Sequence, residues 1–398
     1  MKILIVNTGS ASKKYALYEE GKKIYHAHFE MEPASPAGGE GGYIVTEIYE
    51  EISQKTPVSE RVFERALYRL IDSLIEKKII SSTKDIGAIG IRIVAPGEYF
   101  LAHRVIDKEY LKLAKKAVKK VPLHLGPALE EIKLLGKIFD KTKIIGVSDS
   151  AFHHDLPTKA KYYAVPISDS RKLGLQKFGY HGLSIQSVIS QVEKKLGKLP
   201  TKTVVCHLGG GASITAVKDG KSMDTSMGFT PLDGLVMATR VGDIDPGAAI
   251  YLQEELGLNT RKLGEYFNNK CGLLGLSGKS SDIRELLKFE KDGDKDSALA
   301  LEIYVHRLQK HIGSAIIILG GLDLLIFAGT VGERSFIMRE RICSNLRFLG
   351  LDLNKIENDK SEGIEAEIST LESKVKVLVV KTDEMEQIAQ DTVKVLNS

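Results

Sequence analysis

The sequence predicts an α/β fold built twice, as two similar lobes facing a cleft. Strand-like and helix-like stretches alternate along the chain, the pattern of sheets covered by helices. Two stretches, "VNTGSASKKYALYEEG" (6–21) and "HLGGGASITAVKDG" (207–220), each read as strand, glycine turn, strand. Setting Gly9 against Gly209 places Ser12 opposite Ala212 and "EEGKK" nearly opposite "KDGKS". A period near half the chain is the mark of a duplicated unit.

The elements follow in order. "ILIV" at 3–6 suits a buried strand, and Asn7-Thr8-Gly9-Ser10 makes a turn wider than two residues before a second strand ending near Glu20-Gly21. "PASPAGGEGGY" (33–43) is expected to be a mobile loop, either linker or lid. Ser59 caps a helix predicted to run to about Lys78, with Val62, Phe63, Ala66, Leu67, Leu70, Ile71 and Leu74 on one face. "DIGAIGIRIVAPGEYF" (85–100) is a strand entering a Pro-Gly turn, and "KTKIIGVSDSAF" (141–152) is a strand ending in polar residues that include Asp149. After the second hairpin, Asp245-Pro246 opens a helix and 296–318 forms another. "LDLLIFAGTVGERS" (322–335) is strand then glycine turn; a last strand, an Asp383 cap and a C-terminal helix complete the chain. The expected division is 1–150 for the first lobe and 151–382 for the second, with helix 383–398 returning to the first.

Composition narrows the function. A chain of 398 residues suits two domains. A net charge of +4, spread along the chain, does not mark a nucleic-acid binder, and "KLAKKAVKK" (112–120) reads as a solvated helix face. The three cysteines, Cys206, Cys271 and Cys343, have no metal-ligand spacing, and no apolar run is long enough for a membrane span. A reducing cytoplasm is the expected location.

The glycine turns carry the first chemical signal. Turns of small residues present successive backbone N–H groups to an anion, and glycine lets the backbone approach closely. The first turn adds Asn7, Ser10, Ser12 and Lys14. "GLLGLSGKS" (272–280) imitates a P-loop, but Leu273 stands where its first glycine belongs and no strand precedes it. Arg92, His124, Asp149, His181 and Arg240 sit among small residues at strand ends. Two guanidinium forks, two imidazoles and a carboxylate suit anion binding and phosphoryl transfer. His153, His154, His306 and His311 lack such a neighbourhood and are read as structural or exposed.

"DTSMGFTPLDGLVMATRVGDIDPG" (224–247), "CGLLGLSGKSSDIREL" (271–286), "SAFHHDLP" (150–157) and "VNTGSASKKY" (6–15) resemble the acetokinase family. The resemblance reaches from the first strand to "TDEMEQIAQ" (382–390). It implies two duplicated actin-like ATPase (ribonuclease H-like) lobes, as in the sugar kinase, actin and heat-shock chaperone superfamily. It also implies a magnesium-dependent enzyme (manganese serving as a substitute) that uses ATP and ADP to phosphorylate a small carboxylic acid and works as a homodimer. Asn7 and Glu384 would position the metal, and Lys14 would lie near the nucleotide phosphates. Arg92 and Arg240 would hold the carboxylate and the migrating phosphoryl group, beside the carboxylate of Asp149, with His124 and His181 stabilising the transition state. Val94, Leu123, Tyr180 and Pro231 would meet the acyl group. The nucleotide would meet His207, Leu208, Gly209, Gly210 and Gly211, then Asp282, Ile283 and Arg284, and finally Thr330, Val331, Gly332, Glu333 and Arg334.

Four departures from the family pattern stand out. Gly-Asn-Gly becomes Gly209-Gly210-Gly211, and Gly-Ile-Gly-Glu-Asn becomes Thr330 to Arg334. His-Gly-Gly becomes Ala95-Pro96-Gly97, and the asparagine after the first histidine is Leu125. Tyr180 also replaces a phenylalanine. These changes cluster around the donor and the acyl side, so pyrophosphate or another triphosphate is an alternative donor. A sugar or polyol kinase, with Asp149 as base, and an actin-like filament or chaperone ATPase are the competing readings.

Overall fold

A computed structural model describes residues 1–9, 12–32 and 42–398, together with all side chains there except those of 122–124. The chain divides into two compact units, Met1–Ala151 with Asp383–Ser398, and Phe152–Thr382. Most of the glycine- and proline-rich stretch 33–43 lies outside the described residues, but Gly42 and Tyr43 open a strand.

In the first unit the strands are β1 (Lys2–Thr8), β2 (Ser12–Glu19), β3 (Lys22–Glu32), β4 (Gly42–Tyr49), β5 (Ile52–Val58), β6 (Ile86–Ile93), β7 (Arg104–Val105) and β8 (Lys143–Ser148). They form one sheet in the order β5-β4-β3-β2-β1-β6-β8-β7. Strands β1, β6 and β8 run parallel, while β2 and β3 pair antiparallel. Leu4, Val6, Ile89 and Ile91 pack with Leu125 and Leu135 of the helix Pro122–Ile138. The C-terminal helix Glu384–Asn397 takes the other face, where Ile388 and Thr392 approach Gly90 and Ile5. Burial on both faces explains why "ILIV" is continuously apolar rather than alternating.

The second unit holds β9 (Lys202–Leu208), β10 (Ala212–Lys218), β11 (Lys221–Thr225), β12 (Leu324–Ala328), β13 (Ala366–Glu367) and β14 (Lys376–Val379). Their order is β11-β10-β9-β12-β14-β13, with β9, β12 and β14 parallel and β10 and β11 antiparallel. This five-strand pattern repeats β3-β2-β1-β6-β8 in order and direction. The correspondence extends to the turns: Glu20-Gly21 has φ of 51° and 77°, and Asp219-Gly220 has 48° and 77°. Positive φ at both central positions matches the twist of a tight hairpin. Helix Gly182–Leu196 supplies Ile185, Val188 and Val192 to one face, and the long helix Lys295–Leu319 packs against β9 and β10.

Three expectations change in detail. The helix expected over 59–78 is two helices, Glu60–Glu64 and Ala66–Glu76, broken at Arg65. The break lets Phe63 stack near Tyr43 (centroids 4.9 Å apart) while Leu67, Leu70 and Leu74 stay buried in the core. The glycine turn expected after 328 is a short helix, Gly329–Arg334. The P-loop imitation is the helix Gly272–Ser277, capped by Gly278 at φ 64°. Among the described residues, no helix is long and apolar enough to cross a membrane.

Gly90 tests the packing of the C-terminal helix. An added Cβ would stand 2.0 Å from Thr392 Oγ1 and 3.2 Å from Ile388 Cγ2. Gly90→Ala is expected to cost about 1–3 kcal/mol and to raise amide exchange across 384–397. Gly136→Ala, inside helix Pro122–Ile138 with open space around the new methyl, is expected to gain up to about 1 kcal/mol. Thermal melts with hydrogen exchange check both.

Candidate active site

In the first unit the chemistry gathers where the parallel strands end, the usual ligand edge of such sheets. Asn7 lies near the end of β1, Arg92 near the end of β6, and Asp149 directly follows β8. Glu384 is the first residue of the C-terminal helix, placed there by the Asp383 cap, whose carboxylate accepts from Glu386 N. Arg92 donates Nε to Asp149 Oδ1 at 3.1 Å and Nη2 to Oδ2 at 3.0 Å, a two-pronged fork. Its Nη1 lies 3.4 Å from Glu384 Oε2 and 3.5 Å from Asn7 Oδ1. Asn7 Nδ2 closes the ring by donating to Glu384 Oε2 at 3.0 Å. Burial pushes the Arg92 guanidinium down, but Asp149 and Glu384 together raise it well above its ordinary value. Lys14 lies across the β1–β2 ladder from Asn7. Val94 is half-buried two residues beyond Arg92. Leu123 and His124 lie in the helix Pro122–Ile138, and their side chains are outside the described residues.

In the second unit the expected residues converge on the glycine turn. His181 takes φ of 58° at the N-cap of helix Gly182–Leu196, a conformation unusual for a side chain of this size. Its ring lies against His207 on β9, with centroids 4.2 Å apart. His181 Nδ1 bonds Ser213 Oγ at 3.0 Å, and His207 Nδ1 bonds Ser184 Oγ at 2.6 Å. A Cβ at Gly211 would fall 3.2 Å from His181 Nε2 and 3.5 Å from Arg240 Nη1, so the turn, the imidazole and the guanidinium are adjacent. Gly209 N–H donates to Gly211 O at 2.9 Å, and Ala238 N–H donates to Gly210 O at 3.2 Å. Arg240 Nη1 donates to Pro231 O at 3.3 Å, and Tyr180 Oη donates to Phe229 O at 2.7 Å.

The turn at 330–334 joins this group through Gly329, whose φ of 75° leaves a built Cβ only 2.7 Å from Leu208 O. Glu333 Oε1 accepts from Gly329 N and Thr382 N, and buried Arg339 donates to the carbonyls of Gly332 and Glu333. Thr330 and Arg334 are exposed. Asp282 caps the helix Ile283–Lys291, and hydrogen bonds from Arg284 hold its carboxyl below the usual range. No hydrogen bond joins this pair to the two turns among the described residues.

Sequence reasoning missed Ser184 and Ser213, the hydroxyls that orient the imidazoles. Ser213 is the Cα partner of His207 across the hairpin, so hairpin register was the available signal. The four histidines read as structural or exposed separate, and His306 is exposed. His153 is fully buried, between Ser222 Oγ and Tyr180 O, while His154 is exposed beside Asp155. His311 pairs with Asp243 at 3.0 Å, a partner that sequence reading did not assign.

No group of three or more His, Cys, Asp or Glu side chains that could hold a metal occurs among the described residues. Asn7 and Glu384 instead offer hard oxygen donors beside each other. That set fits Mg²⁺, which keeps several waters and is commonly completed by substrate phosphates.

The first unit sets an arginine beside oxygen donors at its parallel strand ends, and the second sets imidazoles and an arginine at a glycine turn; groups of these kinds suit a phosphotransferase. The profile of the Acetokinase family matches residues 2–390. An acetate kinase of Pseudothermotoga lettingae is 38% identical over 405 residues, covering 100% of this chain and 98% of the relative. Among solved structures, an acetate kinase of Porphyromonas gingivalis matches at 34% identity and TM-score 0.86. A propionate kinase of Francisella tularensis matches at 34% identity and TM-score 0.89, and for both structures 99% of each chain is covered. The fold is that of the actin, sugar kinase and heat-shock chaperone superfamily, and the chain belongs to the Acetokinase family.

The glycines of the turn are not equivalent. A methyl at Gly210 meets nothing within 4 Å, whereas one at Gly211 presses on the His181 ring at 3.2 Å and touches Arg240. Gly210→Ala is therefore expected to keep turnover within about twofold, and Gly211→Ala to lower kcat by about 10- to 100-fold. Steady-state kinetics, with His181 imidazole resonances as a structural readout, check the contrast.

Proposed function

We propose that the protein transfers the γ-phosphoryl group of Mg-ATP to the carboxylate of acetate, or of a similarly short acid such as propionate. The products are an acyl phosphate and ADP. The relatives above are named for those two acids. The observation that carries the reading is the Arg92–Asp149 fork. A hydroxyl acceptor, as in a sugar kinase, needs a base to remove its proton. Asp149 has both oxygens engaged by Arg92, so it serves as the arginine's orienter. A carboxylate acceptor, with a pKa of about 4–5, is already ionised at pH 7 and needs no base. What it needs is relief from repulsion by the phosphoryl donor.

The chain's own groups supply that relief. Arg92 and Arg240 bind the acceptor and the migrating group as planar forks, an arrangement lysine does not reproduce. His124 and His181 stabilise charge on the transferring oxygens, and Val94, Leu123, Tyr180 and Pro231 meet the acyl chain. Lys14, the turn 207–211, Asp282 to Arg284 and the turn 330–334 bind the nucleotide. Asn7 and Glu384 hold Mg²⁺, which when bound neutralises the polyphosphate. Transfer is direct and in line, by positioning and charge stabilisation. The same reading makes the two units lobes facing a cleft in a cytoplasmic homodimer, with the nucleotide on the second.

Hydroxylamine trapping of acyl phosphate, with acetate, Mg²⁺ and either ATP or pyrophosphate, tests the proposal. Hydroxamate is expected with ATP. Signal with pyrophosphate alone would mean that Gly210, Thr330 and Arg334 have rebuilt the donor site, and silence with both would sink the acyl-kinase reading. Arg92→Ala and Arg240→Ala are each expected to lower kcat/KM by about 10²–10³.

A further inference from the structure

The carboxylate that aims Arg92 is itself held from behind. β8 ends at Ser148, one residue before Asp149, and its edge partner β7 reaches only Ile145 and Gly146. Beyond Gly146 a side chain continues the ladder: Ser148 N–H donates to His103 Nδ1 at 3.0 Å. Ser148 Oγ donates to Phe100 O and accepts from Ser150 N at 3.1 Å. Asp149 N donates in turn to Ile93 O at 2.9 Å, next to Arg92. Three successive amides therefore fix the backbone that carries the Asp149 carboxylate.

The His103 ring also faces the other way. A ring nitrogen that accepts a hydrogen bond carries no proton, so the proton of this neutral imidazole is on Nε2. Nε2 lies 3.5 Å from Asp391 Oδ2. Asp391 is 1% exposed, and its oxygens also accept from Gln387 Nε2 and Lys394 Nζ, each at 2.9 Å. Glu384 and Asp391 stand two turns apart in the C-terminal helix, which puts both on one face. Glu384 meets Arg92 Nη1 directly. Asp391 reaches, through the imidazole, the amide that precedes Asp149.

We propose that His103 is a positioning residue that ties the Ser148 amide to Asp391, so that the C-terminal helix sets both carboxylates that hold Arg92. The catalytic weight of the tie rests on the acyl-kinase reading given above, in which Arg92 holds the acceptor and the migrating group. Without the ring, the Ser148 N–H loses its acceptor and Asp391 loses a donor. The segment 148–150 then shifts to recover a partner, and the Asp149 carboxylate moves with it. Glu384 stays where the helix puts it, so the two ends of the guanidinium are no longer aimed together. Misaligned positioning groups lower the rate without removing any reacting group. His103 acts through the Ser148 amide rather than on the reacting atoms.

The test is kcat/KM for acetate, with Mg-ATP and hydroxylamine trapping, in His103→Ala, Asp391→Asn, Arg92→Ala and their pairwise combinations. His103→Ala is expected to lower it about 3- to 30-fold, the weight of one or two neutral hydrogen bonds. KM for ATP should stay within about twofold, because the donor turns are untouched. Asp391→Asn is expected to lower kcat/KM about 3- to 10-fold. Links in series are cut only once, so adding Asp391→Asn to His103→Ala, or His103→Ala to Arg92→Ala, should cost no more than about twofold further. If His103→Ala does not fold, His103→Asn decides the matter, since its Oδ1 can still accept from Ser148 N–H while the contact with Asp391 is given up. An unchanged kcat/KM, or the same fractional loss with and without Arg92, overturns the tie and leaves the acyl-kinase reading standing. A wild-type protein that yields no hydroxamate with acetate or propionate overturns both.

Discussion

The organising interaction of the first unit is the guanidinium of Arg92, held between Asp149 and Glu384. The buried member is Asp149, while Arg92 is only half-buried; leaving such a carboxylate without its charged partner typically costs about 3–5 kcal/mol. Its partners come from three places in the chain: the end of β1, the residue after β8 and the start of the C-terminal helix. The helix that closes the chain is thereby committed to the first unit. Gly90, by lacking a side chain, lets that helix lie on the sheet. The arginine is also pre-oriented, its fork fixed by Asp149 and its remaining nitrogen by Glu384 and Asn7.

The second unit solves a similar problem without buried carboxylates. Near the end of β9 two imidazoles, His207 and the helix-capping His181, lie tilted against each other, each oriented by a serine hydroxyl, beside a turn with no side chains of its own. Hydroxyls can donate or accept, so they hold an imidazole without fixing its charge. The two units differ in how they hold their charge: one anchors its guanidinium between carboxylates, the other sets Arg240 on a backbone carbonyl beside imidazoles held by hydroxyls.

Much of this was legible in the sequence. The hairpins at 6–21 and 207–220 announced the repeat because backbone demands fixed their glycines, and Arg92, Asp149 and Arg240 stood out as charged residues among small ones. The strands β3, β4 and β5 were not read; β5, "ISQKTPV", is polar, carries Pro57 and lies at a sheet edge where alternation is not enforced. The break at Arg65 was invisible because both halves keep the same apolar spacing. Ser184, Ser213 and the Phe229 backbone went unseen for a different reason. Their roles depend on partners brought together by folding, and a serine or a main-chain carbonyl has no distinctive signature in a list of residues.

The repeat also explains why the donor-side loops are built as they are. Counting along the ladders from Gly9 and Gly209 sets Asn7 against His207. The register of β9 with β12 then places Ala328 where Arg92 stands, and that of β12 with β14 places Thr382 where Asp149 stands. The second unit therefore has a methyl and a backbone N–H in place of a buried ion pair. That substitution frees the end of β12, and the helix Gly329–Arg334 begins there at once, Gly329 turning under Leu208 O. Glu333 spans the gap, accepting from Gly329 N and Thr382 N, so one carboxylate joins the two strand ends that the arginine fork joins in the first unit. The same topological position is closed by a charged pair in one copy and by a carboxylate on backbone amides in the other. The two units share the frame and differ in the fastening.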